Sequence, residues 1–193
     1  MKRSLLIALR ITVLTLLVLG LVYPLAVTGI AQMAFTRSAN GSHVVSEGHI
    51  VGSTLIGQNF TSERYFHSRP SAAGESGYDA AASSASNLGP TSRALIDAVT
   101  DRVDRVLDTE PGARKGAVPV DLVTSSGSGL DPDISPDAAM LQVARVARAR
   151  GLAEEQVEVL VDRHVVKRQF GFLGEPRVNV LALNQALDAL SSR

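Results

Sequence analysis

Cysteine and tryptophan are both absent from the 193 residues, and all aromatics together make up only 4%. Without cysteine there is no disulfide framework, no thiol nucleophile and no thiolate metal site, although the compartment stays open. With so few rings, the core must rest on Val, Leu, Ile and Ala. Neither sign of charge is in excess: 19 basic residues balance 19 acidic ones. Nucleic-acid binders carry a clear basic surplus, so nucleic acid is not an expected partner. No repeat of solenoid or propeller period is present.

Charge is also missing from one place in particular. Lys2, Arg3 and Arg10 open the chain, and from Ile11 to Phe35 no residue is charged. That run exceeds the roughly 20 residues with which a helix crosses a bilayer. Its backbone must satisfy itself, which in lipid means a helix. Pro24 frees the carbonyl near Gly20, so a kink or weakened turn is expected there. A cleaved signal peptide has an apolar region of about 7–15 residues and a small-residue cleavage site. This run is longer and Gly29-Ile30-Ala31 fits such a site poorly, so a retained anchor is expected. Three cations before the span against Arg37 just after it place the N-terminus in the cytoplasm and the rest outside.

The expected organisation is α+β: one N-terminal transmembrane helix (residues 1–36), a polar tether (37–47) and a single mixed α/β soluble domain (48–193). Short β-prone runs lie at Ile50–Ile56 and Tyr65–Phe66. His67 to Ser92 is rich in Ser, Ala and Gly and fits no regular element; a loop this long is functional or badly assigned. Leu95, Ile96, Val99, Val103, Val106 and Leu107 recur at helical spacing after Pro90. Val118–Val123 reads as a buried strand. Ser135-Pro136-Asp137 opens a helix by cap, by Pro at the first position and by an acid in the first turn. Gly151 closes it, with Arg148 and Arg150 against its dipole. A further amphipathic helix carries Val157, Leu160, Val161 and Val165, and the end of the chain reads as a short strand passing into a helix.

The chemistry is sparse. There is no GxSxG and no HExxH, and His43, His49, His67 and His164 lie in no metal-ligand spacing. His164, beside Arg163 and Lys167, reads as part of a solvated face. Asp131, Asp133 and Asp137 suggest a calcium loop, but Pro136 and Gln142 stand where the loop needs Gly and Glu, so no metal is expected. The sequons at Asn40 and Asn59 are too short a pattern to carry weight. Neither nucleotide signature, GxxxxGK[ST] or GxGxxG, is present. "SSGSG", ending at Gly129, could still offer backbone N–H groups to phosphate ahead of a helix. Against this, Asp131, Asp133 and Asp137 crowd the same helix entrance and the loop has no Lys. On the residues alone, a tight turn before a capped helix is the stronger reading.

Four stretches, "GSTLIGQNFTSERYFHSRPSA", "SNLGPTSRAL", "VPVDLVTSSGSGLDPDISPDAAMLQVARVARARGL" and "FLGEPRVNVLALNQALD", lie in order between Gly52 and Asp188. Behind a single span, they resemble the C-subunit (KdpC) family of the Kdp-type, ATP-driven potassium pumps. Ser84 and Ala85 stand where that family often has Gly, and Asp133 where it often has His. The resemblance implies a non-catalytic accessory subunit in the plasma (inner) membrane, partnered by an ATP-hydrolysing subunit and a potassium-channel-like subunit. It also implies a catalytic chaperone that raises ATP affinity, with Ser126, Gly127, Ser128, Gly129 and Gln142 touching ATP. An extracytoplasmic domain cannot reach a nucleotide across roughly 30 Å of hydrocarbon. Two readings therefore stay open: an outer domain that assembles the complex and gates potassium entry, or a nucleotide-handling chaperone. A free-standing hydrolase is set aside because the nucleophile, base and metal motifs are missing.

Overall fold

The computed structural model describes residues 2–46 and 48–191. Met1, Glu47 (the expected end of the tether), Ser192 and Arg193 lie outside the described residues. The chain divides into two compact units, Met1–Val51 and Gly52–Arg193.

In the first unit one continuous helix runs from Lys2 to Ala34, long and apolar enough to cross a membrane, with none of its most apolar stretch buried in protein. It is built from α1 (Lys2–Leu17), a π-helical turn (Val18–Val22) and α2 (Tyr23–Ala34). Pro24 accounts for the middle piece. Proline cannot donate to the carbonyl four residues back, and the helix accommodates this by widening: the Tyr23 N–H reaches back to the Val18 carbonyl. The expected weak turn near Gly20 takes this form. One turn of helix, α3 (Thr36–Ala39), and a pair of strands, β1 (His43–Ser46) and β2 (His49–Ser53), complete the stretch.

The second unit has a small sheet and four helices. After β2 no regular element occurs until α4 (Arg93–Thr109), and a 3-10 turn (Val120–Leu122) follows it. Then come β3 (Asp133–Ile134), α5 (Pro136–Arg150), α6 (Glu154–His164), β4 (Val165–Val166), β5 (Arg177–Asn179) and α7 (Val180–Ser191). The sheet is antiparallel with β5 in the centre; Val178 stands opposite Ile134 on one side and Val165 on the other. Val178 is wholly buried and Ile134 nearly so. Val143, Val146, Val157, Val161, Leu183 and Leu187 from α5, α6 and α7 close over them.

The helix boundaries follow local chemistry. Ser135 accepts the Ala138 N–H at 3.1 Å, and Gly151 ends α5 in the left-handed region at φ 67°. Asn179 receives the Ala182 N–H at 3.0 Å, so β5 turns into α7 through its own cap. Four expectations need correction. Val118–Val123 is not a strand: Pro119 has no N–H to give a ladder, and the chain turns over at Val120–Leu122 instead. Tyr65–Phe66 is irregular, with Phe66 buried and Tyr65 half-buried. Val165 belongs to β4, because α6 ends at His164, whose ring nitrogen lies 2.8 Å from the Leu160 carbonyl; that histidine is half-buried rather than solvated.

Leu183 is fully buried within this core. Leu183→Ala should therefore cost about 2–5 kcal/mol, read as a lowered denaturant midpoint of the full chain in detergent.

Candidate functional site

The irregular stretch Glu63–His67 runs beside α5 and α7 without joining any sheet. Its carbonyls are nonetheless satisfied, and by side chains. Arg145 donates from one guanidinium nitrogen to the carbonyls of Glu63 (2.6 Å) and Tyr65 (3.0 Å). Arg150 donates to the Arg64 carbonyl at 2.6 Å. Asn184 bonds Phe66 in both directions, at 2.9 and 3.0 Å, and Gln142 does the same for His67, at 2.7 and 3.2 Å. Five consecutive carbonyls thus each accept from a side chain of α5 or α7. Primary amides suit this task because each offers a donor and an acceptor side by side, as a strand does. Phe66, pinned in this way, inserts its ring fully into the core.

Gln142 is 1% exposed. Besides His67 it donates to the Ala138 carbonyl at 3.1 Å and accepts from Arg145 at 2.8 Å. Arg145 in turn holds Glu110, just past the end of α4, at 2.8 Å. Both members of that pair are buried, and the second carboxylate oxygen of Glu110 has no partner among the described residues. Burial pushes the Glu110 carboxyl up, with Arg145 pulling the other way. Burial, followed by the nearby Arg145 charge, holds the His67 imidazole below its ordinary range.

Gln142 also forms part of the wall of a cleft of about 420 Å³ whose other walls include Phe60, Tyr78, Arg102 and Arg105. The Tyr78 hydroxyl donates to the Arg69 carbonyl, and Arg69 pairs with Asp131 at 3.0 Å. Arg102 spends one N–H on the Val123 carbonyl at 3.0 Å. The Arg105 side chain is exposed and has no hydrogen bond or ion pair among the described residues. The cleft therefore presents cationic donors beside an aromatic ring, with the Glu110 carboxylate in the same wall.

None of Ser126, Gly127, Ser128 and Gly129 lines that cleft. The loop instead knits the irregular segments together. The Ser128 carbonyl accepts from the Ser84 N–H and the Ser83 hydroxyl, both at 3.0 Å, and the Gly129 carbonyl accepts from Ser71 at 2.6 Å. Gly129 sits at φ 68°, and a Cβ there would lie 2.5 Å from the Ser84 carbonyl oxygen. Only glycine allows these strands of chain to cross so closely. Gly127 and Ser128 are exposed, whereas Ser126 and Gly129 are buried. Nor does the loop lead straight into α5. β3 intervenes, and the helix start is taken by Asp121, which accepts from both the N–H and the hydroxyl of Ser135 at 2.6 and 3.1 Å. Two of the carboxylates expected there are similarly engaged: Asp131 with Arg69, and Asp133 with Arg177 at 2.9 Å. No group of three or more His, Cys, Asp or Glu that could hold a metal occurs among the described residues.

Of the residues singled out by sequence, Gln142 lies at a junction and the Ser/Gly loop at another. Arg145, Glu110 and Asn184 were missed. A signal existed for Arg145: it shares a helix face with Ala138, Gln142 and Val146, where an arginine needs a buried reason.

The description "K+-transporting ATPase, c chain" (KdpC) matches residues 5–189. Proteins called potassium-transporting ATPase KdpC subunit share 56% identity with the chain in Gemmatimonas aurantiaca, over 96% of this chain and 92% of the relative. The Koribacter versatilis protein is 53% identical over 97% and 95%, and that of Myxococcus xanthus 57% over 97% and 89%. The chain belongs to the KdpC family, the c chains of potassium-transporting ATPases. It is accordingly a subunit of such a complex, anchored by its apolar N-terminal helix.

Two outcomes test the geometry. Arg145→Ala leaves Glu110 buried and unpaired and should cost about 3–5 kcal/mol in a denaturant titration, the size found for breaking a buried pair. The second concerns pH. The folded chain holds His67 below 6.5, so the unfolded state binds more protons as pH falls through that value. Stability should drop on acidification from pH 7.5 towards 5.5, and His67→Asn should flatten that slope, read from thermal midpoints across the range.

Proposed function

We propose that the chain spans the plasma (inner) membrane once, N-terminus in the cytoplasm, and that its soluble unit lies on the extracytoplasmic side. There it holds the ATP-hydrolysing and potassium-channel-like subunits together and gates the outer potassium entrance. The observation that carries this reading is the charge asymmetry about the apolar helix: Lys2, Arg3 and Arg10 before it, Arg37 after it. In this reading the chain acts by shape rather than by chemistry, which suits a domain whose irregular segments are locked by buried side chains. Beyond the span, 16 basic residues face 19 acidic ones. That slight acidity favours cations near a pore mouth, within a range of about 8 Å at physiological salt.

One observation favours a second reading, in which the chain touches ATP and raises the affinity of the hydrolysing subunit. The cleft walled by Arg102, Arg105 and Gln142 has the size for a phosphate-bearing ligand and cations to meet it, set against the carboxylate of Glu110 in the same wall. Contact with ATP through Ser126–Gly129 gains no such support, since the loop bonds to its own neighbours. The two readings differ in the side of the membrane they require.

Gly127→Cys tests that side. A Cβ at Gly127 meets open space, and the chain has no cysteine of its own. In intact cells carrying the complex, a membrane-impermeant thiol reagent should label Cys at this position. Labelling only after the cells are opened, with an outer-face control site reacting normally, would sink the outer-domain reading and make ATP contact the leading account.

A further inference from the structure

The helices of the second unit are not equally held. α5 buries seven of its residues, whereas α4, 17 residues long, buries none. Val99, Val103 and Val106 of α4 pack against the core half-buried, and Ile96 is 51% exposed. Polar ties are as few. Among the described residues, α4 and its C-cap reach the rest of the unit through two side chains. Arg102 donates to the Val123 carbonyl at 3.0 Å, and Glu110 lies in its buried pair with Arg145.

The two ends of α4 differ. At the C-terminal end Glu110 is 4% exposed, and its N–H closes on the Val106 carbonyl before the chain turns extended. At the other end the Ser92 side chain makes no cap. The residues before it, Ser86 to Thr91, are all exposed and bond to nothing in the body of the unit. One end is pinned and the other hangs on a slack lead. Segments with few buried apolar contacts open first, as units, at a free energy below that of global unfolding. Isolated helices shorter than about 12–15 residues are marginal in water. α4 is longer, and Arg93 braces Asp97 at 3.0 Å in its first turns, so it can leave the body as a rod.

The cleft of about 420 Å³ lies against this helix. Arg102, Arg105, Val106 and Thr109 of α4 line it, facing Phe60 and Gln142 of the body. We propose that α4 is a hinged flap, pivoting at Glu110 and latched by Arg102, whose swing opens and closes this cleft. The flap sets how far solvent and solutes reach towards Gln142. It is compatible with either reading of the chain's function and depends on neither.

Spin labels on Thr100→Cys, in α4, and Asp162→Cys, in α6, test the motion in the full-length chain in detergent. Both positions are exposed, and the chain has no cysteine of its own. Pulsed dipolar spectroscopy should give two distance populations for this pair. Met140→Cys with Asp162→Cys, joining α5 to α6, should give one. Arg102→Ala removes the latch but no buried contact. The loss of one hydrogen bond should raise the ratio of the longer to the shorter distance about fivefold. A single narrow distance for the α4 pair overturns the proposal. So does a second population that Arg102→Ala leaves unmoved, or one that the α5–α6 pair shares.

Discussion

Everything in the soluble unit depends on how the backbone of Glu63–His67 is paired. Its sheet has three strands of two or three residues, too short to satisfy much of the interior. Arg145, Arg150, Gln142 and Asn184 take over that role, so that a segment with no strand geometry has the bonding of one. A buried peptide group left unpaired carries a desolvation penalty of about 1–3 kcal/mol, so the two-way pairing of Phe66 with Asn184 explains how an aperiodic segment can place that residue in a core. The arrangement also joins α5 to α7 through a third piece of chain. Arg150 adds to this by lying 4.7 Å from the Tyr65 ring centroid while bonding Asp188 on α7.

What sequence could reveal follows from the range over which each interaction acts. Helix ends were legible because caps are local: Ser135 and Gly151 act within a turn of themselves. The apolar span was legible because lipid imposes length and composition together. The strand expected at Val118–Val123 failed because apolar residues in a row look alike whether they pair or turn, and Pro119 decided the matter. The clamp on Glu63–His67 was illegible for a different reason. Gln142 and His67 are 75 positions apart, Asn184 and Phe66 are 118, and nothing in their neighbourhoods marks them as partners. The role of Arg150 shows the same limit. Read locally it complements a helix dipole; in the fold it reaches across to Arg64 and Asp188.

The Ser/Gly loop shows how one composition serves two ends. Small residues let a backbone approach a phosphate, and equally let one backbone approach another. At Gly129 the approaching group is the Ser84 carbonyl, so glycine is explained by the crossing of two loops. Gln142 carries the same lesson. Its amide is committed to His67, Ala138 and Arg145, and it faces the cleft as part of the frame. Arg105 of that cleft, which has no side-chain partner among the described residues, comes from the polar side of α4, opposite the apolar face read from its spacing. Family membership and geometry thus describe a subunit whose shape is set by long-range polar pairing.

The π-helical turn at Val18–Val22 bears on how the anchor meets its neighbours. Such a turn takes up about one residue more than an α-helical turn, which rotates everything beyond it by roughly 100° about the helix axis. Side chains that line up along α1 therefore do not continue in line along α2. A second helix packed in register against one half of the anchor would find a different face presented by the other half. The anchor is suited to touching two neighbours at different depths of the bilayer, as a splice between them, rather than zipping along one.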